Sequence, residues 1–166
     1  IARRQRQMCI RDSHPTIIKQ DIDWPQFMSQ QDMIWEKLPE YWYDSAFLGN
    51  GKLGLMIYKE PGENYIRLET GNCDVHDHRA KRDIFGIPRL LTGHFALRPK
   101  GEIISGQMRL DLWNAEASTD ITTTKGVIHL KTIVHADDMI IVVKATTEGD
   151  ENDFKWEWIA AEANSP

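Results

Sequence analysis

The chain is poor in the features that mark several familiar protein classes. Only two of its 166 residues are cysteines, Cys9 and Cys73, so at most one disulfide can form and a disulfide-built scaffold is excluded. It has no run of about eighteen apolar residues, the length a membrane-crossing helix needs. The formal net charge is −5 and no basic stripe is present, which argues against a nucleic-acid binder. No Gly-x-Ser-x-Gly elbow occurs, and Cys73 with histidines near it in sequence is no nucleophile signature. Gly49-Asn50-Gly51 lacks the spacing and the lysine–hydroxyl pair of a phosphate loop. No βαβ alternation, internal repeat or low-complexity stretch is seen. The length suits one domain with a real core, and six tryptophans are many for that length.

Both ends read as foreign or cut. Residues 1–13 have no helical or strand period and are strongly basic. Gln7-Met8-Cys9-Ile10-Arg11-Asp12-Ser13 closely resembles the translation of a transposon-end sequencing adapter, so residues 1–13 are set aside from fold reasoning as a non-native scar; the alternative is a genuine basic tail. Removing them takes away four arginines and one aspartate, moves the net charge from −5 to −8, and leaves Cys73 as the lone cysteine. Phe154–Trp158 alternates like a strand, and the chain stops soon after it, which reads as the front part of a longer protein.

Residues 14–43 form a mixed lead-in with aromatic anchors among prolines, and one helical turn is expected around Phe27–Met33. Trp24, Trp35, Tyr41 and Trp42 are expected to pack against the domain that follows; the alternative is an aromatic cluster for stacking sugars. From Ala46 onward the pattern is β. Phe47-Leu48 and Leu53–Ile57 flank Gly49-Asn50-Gly51, a glycine-rich hairpin signal that suits a type I′ turn, and Gly54 inside the second strand points to a bulge or a close backbone approach. Leu53–Tyr58 and Tyr65–Glu69 are strands joined by Pro61-Gly62-Glu63-Asn64. Leu91–Arg98 and Met108–Leu112 alternate, and Ile121–Thr124 and Val127–Val134 flank a Lys125-Gly126 hairpin. Met139–Val143, a short apolar run rich in β-branched residues, suits a strand covered on both faces. Closely spaced strands with turn signals between them indicate an all-β, antiparallel β-sandwich, incomplete at its C-terminal end, over residues 44–166.

Cys73-Asp74-Val75-His76-Asp77-His78-Arg79 is the main polar cluster. His76 and His78 share one side of an extended strand and would suit a transition metal, with His94 or His135 completing the set. A hydrogen-bonded loop in which Asp77 orients Arg79 is the plainer reading, and a loop offered to a neighbouring domain, with Arg79 holding a carboxylate, is a third. No metal or other cofactor is assigned. Trp113-Asn114-Ala115-Glu116 combines an indole with amide and acid groups, as a sugar platform does; filling the end of a sandwich core is the competing and favoured role for Trp113. Asp111, Glu116, Asp137 and Asp138 are available as paired carboxylates, but strand faces and turns explain each of them without catalysis.

Phe47-Leu48-Gly49-Asn50-Gly51-Lys52-Leu53-Gly54-Leu55-Met56 resembles the opening of the N-terminal β-sandwich of glycoside hydrolase family 95, the α-L-fucosidase and α-L-galactosidase group, a sandwich similar to that of family 65. Tyr65–Leu68 with Thr70–Val75, Gly106–Ala115 and Val134–Val142 look like later segments of that domain, so the resemblance spans roughly residues 35–160. It departs where the family's Asn-Glu-Asp-Thr-Leu-Trp segment is replaced by Gly71–Arg79. The resemblance implies a super-sandwich that packs on, and shapes, a helical catalytic barrel in the same parent chain, that the catalytic carboxylate lies in that barrel, and that this chain carries no catalytic residue. It makes Asn50, Asp77, His78, Arg79, Trp113 and Asn114 candidates for the domain interface or cleft rim. Expected partners are the barrel and a glycan substrate, with no nucleic acid and no membrane span, and export to a periplasm or beyond. A free-standing carbohydrate-binding sandwich is the alternative.

Overall fold

The computed structural model describes residues 21–76 and 89–162. The segment read as a scar, and Asp77, His78 and Arg79, lie outside the described residues. A short helix α1 (Trp24–Ser29) is followed by β1 (Met33–Trp35), a single 3-10 turn (Trp42–Asp44), β2 (Ala46–Gly49), β3 (Leu53–Lys59), β4 (Ile66–His76), β5 (Arg89–Arg98), β6 (Ile103–Asp111), β7 (Glu116–Thr123), β8 (Gly126–Val134), β9 (Ile141–Gly149) and β10 (Lys155–Ala160). The strands form two five-stranded sheets, in the orders β1-β6-β7-β8-β9 and β10-β5-β4-β3-β2, with antiparallel pairing throughout. The expected all-β sandwich is the fold observed.

The period-two alternation explains which faces meet. In β7, Ala117, Thr119, Ile121 and Thr123 are buried while the residues between them are half-exposed. Leu48, Leu55, Ile57, Ile66, Leu68 and Leu97 of the second sheet meet Met108, Leu110, Ile121, Ile128 and Leu130 of the first in one core. Gly49, Gly54 and Gly71 lie side by side across β2, β3 and β4, which accounts for the glycine inside the β3 pattern; the ladder shifts register next to Gly71.

Several elements differ from the sequence expectation. The helix starts earlier than Phe27 because the Asp23 side chain caps the Gln26 N–H at 3.1 Å and Pro25 occupies its first turn. Met33, expected at the end of that helical turn, instead begins β1, an edge strand on β6. Trp35 packs against the core, but Trp24, Tyr41 and Trp42 are 41%, 49% and 61% exposed. The β7–β8 hairpin closes one residue early, with Thr123 opposite Gly126 and Thr124-Lys125 between them. The Met139–Val143 run is not covered on both faces: β9 begins at Ile141, is an edge strand, and alternates, so Val142 faces outward while Ile141 and Val143 face the core.

The two sheets are offset. β2 crosses β6, β7 and β8, and β3 crosses β8, whereas β5 and β10 stand on the far side of their sheet from these crossings. Their inner faces therefore stay partly uncovered. Leu97 is fully buried, but Phe95, on the same face and one step along β5, is 39% exposed, as are Trp156 (41%) and Trp158 (46%) of β10. Phe95 and Trp158 lie with ring centroids 4.6 Å apart, and Trp156 meets Phe154 edge to face at 6.5 Å.

Candidate functional site

The strand directions place the β2–β3, β6–β7 and β8–β9 loops at one end of the sandwich, with the His76–Arg89 pair that closes β4 and β5 at the same end. Asn50 organises this end. Its Oδ1 accepts from the backbone N–H groups of Lys52 (3.0 Å) and Leu53 (2.9 Å), and its Nδ2 donates to the carbonyls of His135 (2.8 Å) and Asp138 (3.1 Å) in the β8–β9 loop. Only Gly51 adopts a positive φ (+88°), so the turn is an asparagine-anchored loop, not the expected type I′ turn with two such residues. Asn50 thus ties one sheet to the other with both polar atoms of its side chain engaged. Asn50→Ala is expected to cost about 1–2 kcal/mol and to speed amide exchange at Leu53, readable by urea denaturation and hydrogen exchange.

Trp113 and Asn114 sit on the β6–β7 loop of the same end. Trp113 is 50% exposed, which corrects the favoured core-filling role. The reason is local: β6 stops at Asp111, whose carboxylate accepts from the Asn114 backbone N–H and side-chain amide, both at 2.9 Å, and Ala115 turns the chain at φ +50°. The same bonds hold the Asp111 carboxyl below the usual carboxylate range. Beside the β2–β3 loop, the three adjacent glycines leave a trough of about 360 Å³ with Lys52, Cys73 and Arg89 along it. Cys73–His76, expected to fall within a polar loop, continue β4 instead. Among the described residues no group of three or more His, Cys, Asp or Glu side chains is arranged to hold a metal ion.

Two charged clusters went unrecognised in the sequence. On the outer face of the second sheet, the Tyr58 hydroxyl donates to Glu69 Oε2 at 2.5 Å, Arg67 Nε lies 3.2 Å from the same oxygen, and Arg67 Nη1 donates to Glu60 Oε2 at 2.9 Å. His94, opposite Glu69, is 93% buried and stacks nearly parallel to Tyr65. Burial first, then the bond to Glu69, pushes the Tyr58 hydroxyl far above its usual value, so it remains a donor. Burial, then the Arg67 charge, pulls His94 down and keeps it neutral near pH 7. The alternation of Tyr65-Ile66-Arg67-Leu68-Glu69 was the available signal, since it places Tyr65, Arg67 and Glu69 on one face.

At the opposite end, the fully buried Glu151 accepts from the backbone N–H of Lys100, from that of Gly101 (3.0 Å) and from the Thr123 hydroxyl (2.6 Å). It joins the β9–β10 connection to the β5–β6 and β7–β8 turns. No sequence pattern marked it. The Glu151 cluster is closed on itself by hydrogen bonds, an arrangement that holds strands together, whereas in the Tyr58–Arg67–Glu69 cluster the buried His94 Nε2 has no hydrogen-bond partner.

No known protein family matches this chain, and no curated protein sequence matches it. Among the described residues no helix is long and apolar enough to cross a membrane.

Proposed function

We propose that this chain is the non-catalytic N-terminal β-sandwich of a glycoside hydrolase of the α-L-fucosidase and α-L-galactosidase type, whose part is to pack on and shape a helical catalytic barrel. The observation that supports a docking role is the uncovered inner face of β5 and β10, where Phe95, Trp156 and Trp158 remain about 40% exposed or more. A row of large aromatic side chains left open to water marks an interaction surface. The sugar chemistry of the reading rests on the family-95-like run Phe47–Met56. Asn50, Trp113 and Asn114 would stand at the cleft rim, with Asp77, His78 and Arg79 proposed for the same role.

The test is association. The isolated chain is expected to self-associate as its concentration rises and to bind an apolar dye, by light scattering and fluorescence. Trp156→Thr with Trp158→Thr is expected to reduce both, because threonine keeps strand propensity while removing the apolar area. The chain should not turn over 4-nitrophenyl α-L-fucoside, and the gene read onward past Pro166 should encode helical hairpins rich in acidic and asparagine residues. A monodisperse, dye-silent monomer, with a stop codon closely following, would overturn the reading in favour of a free-standing carbohydrate-binding module.

A further inference from the structure

The side of the sandwich opposite the β5–β10 overhang carries a second feature. Where β1 and β2, the edge strands of the two sheets, come together, a groove of about 980 Å³ is lined by Trp35, Tyr41, Tyr43 and Phe47. That volume is at the upper end of the ~300–1,000 Å³ typical of ligand sites. Tyr43 and Phe47 are 62% and 63% exposed and Tyr41 is 49% exposed. The Tyr41 and Tyr43 rings are stacked within 4° of parallel at 5.2 Å, and Trp42 braces Tyr43 edge to face at 5.7 Å.

The backbone that carries these exposed rings is pinned. Trp35 Nε1 donates to the Asp44 carbonyl (2.7 Å), the Ser45 hydroxyl to the Trp42 carbonyl (2.7 Å), the Asp44 N–H to the Tyr41 carbonyl (3.1 Å) and the Lys59 N–H to the Pro39 carbonyl (2.8 Å). The segment that presents the rings is therefore fixed in place by its backbone, which lowers the entropy cost of binding. Around it stand three carboxylates, Glu36, Glu40 and Asp44, and two amines, Lys37 and Lys59.

From this lining we infer that the groove binds a neutral oligosaccharide. The negative ring faces that the Tyr41–Tyr43 stack leaves free, with that of Phe47, attract the slightly positive C–H groups on the apolar face of a pyranose. The carboxylates accept from its hydroxyls, and the lysines donate to them. A phosphate or acidic polymer is disfavoured, because carboxylates outnumber amines in the groove and the chain is acidic overall. The site stands apart from the β5–β10 surface, so the docking reading and this one can fail separately.

Native gel electrophoresis of the full chain, with xyloglucan, arabinan or mixed-linkage β-glucan cast in the gel and polygalacturonate as the acidic comparison, tests the inference. The expected result is retardation by at least one neutral polymer and none by polygalacturonate. Tyr41→Ala with Tyr43→Ala should weaken binding at least about tenfold. Tyr41→Phe with Tyr43→Phe should retain it, and so should Trp156→Thr with Trp158→Thr. Because the two tyrosines are 49% and 62% exposed, the alanine variant should keep the unfolding midpoint of the parent chain. No retardation by any neutral polymer, preference for polygalacturonate, or binding unchanged by the double alanine variant would overturn the inference. So would concentration-dependent self-association that the double alanine variant abolishes, since that would make the groove a protein contact.

Discussion

Replacing Glu151 by alanine is expected to destabilise the protein by about 4 kcal/mol, lowering its melting temperature by about 10–15 °C. The carboxylate is wholly buried and accepts three hydrogen bonds, two of them from the backbone N–H groups of Lys100 and the buried Gly101. Hydrogen bonds to a charged group contribute about 1.5–3 kcal/mol each, and a buried donor left unmatched costs about 1–3 kcal/mol. The sum exceeds 4 kcal/mol only if the three are treated as independent, which neighbours sharing one acceptor are not. Against a typical total of about 5–15 kcal/mol the loss is large.

The pH dependence follows from the same contacts. Burial pushes the Glu151 carboxyl upward, but the bonds from Thr123, Lys100 and Gly101, with the nearby Lys100 charge, outweigh it and hold the group below its usual range. A carboxyl depressed in the folded state contributes stability above its unfolded pKa and loses it as pH falls toward its folded pKa. The gap between wild type and Glu151→Ala should therefore be constant near neutrality and shrink below about pH 4. Thermal melts of both proteins from neutral to acid pH check this; a gap under about 1 kcal/mol at pH 7, or one that grows in acid, would refute the account.

Arg67→Ala is expected to cost about 3 kcal/mol, because it leaves the Glu69 carboxylate buried with only the Tyr58 hydroxyl. Removing one member of a buried pair costs about 3–5 kcal/mol, and the lower figure applies because the Arg67 side chain keeps 22% of its exposure. Removing both charges should do less harm than removing one. Arg67→Leu with Glu69→Leu is expected to recover most of the loss, since leucine packs on the sheet and Glu60, less enclosed than Glu69, can turn to water. Urea denaturation of the single and double variants decides the point. A double variant less stable than Arg67→Ala would mean that the network stabilises by more than mutual neutralisation.

Much of the architecture was legible in the chain because it depends on local pattern. Alternation in Met108–Leu112 and Val127–Val134 marks strands whose inner positions, the exposed Leu112 excepted, are the core, and Pro61-Gly62-Glu63-Asn64 marks the turn between β3 and β4. Half of what Asn50 does was equally local, since its bonds to Lys52 and Leu53 lie within its own turn. The other half, the bridge to His135 and Asp138, joins residues 85 and 88 positions apart, and no neighbouring residue announces it. Trp113 lies outside the core for a similar reason: it follows a well-patterned strand, but Asp111 ends that strand by capping Asn114 and turns the indole outward.

The sequence by itself therefore determined that this protein is an all-β sandwich, where some of its turns fall, and which side chains of most strands face inward, because each of these follows from the two-residue period and from glycine, proline and asparagine chemistry. Only the tertiary structure decided that β9 and β10 lie at edges, that the sheets are offset so that Phe95, Trp156 and Trp158 stay uncovered, that Tyr41 and Tyr43 face a groove, and that Glu151 is buried. The physical reason is that exposure belongs to a pair of surfaces: a strand's pattern says which face is apolar, and the offset of the opposing sheet says whether that face is covered.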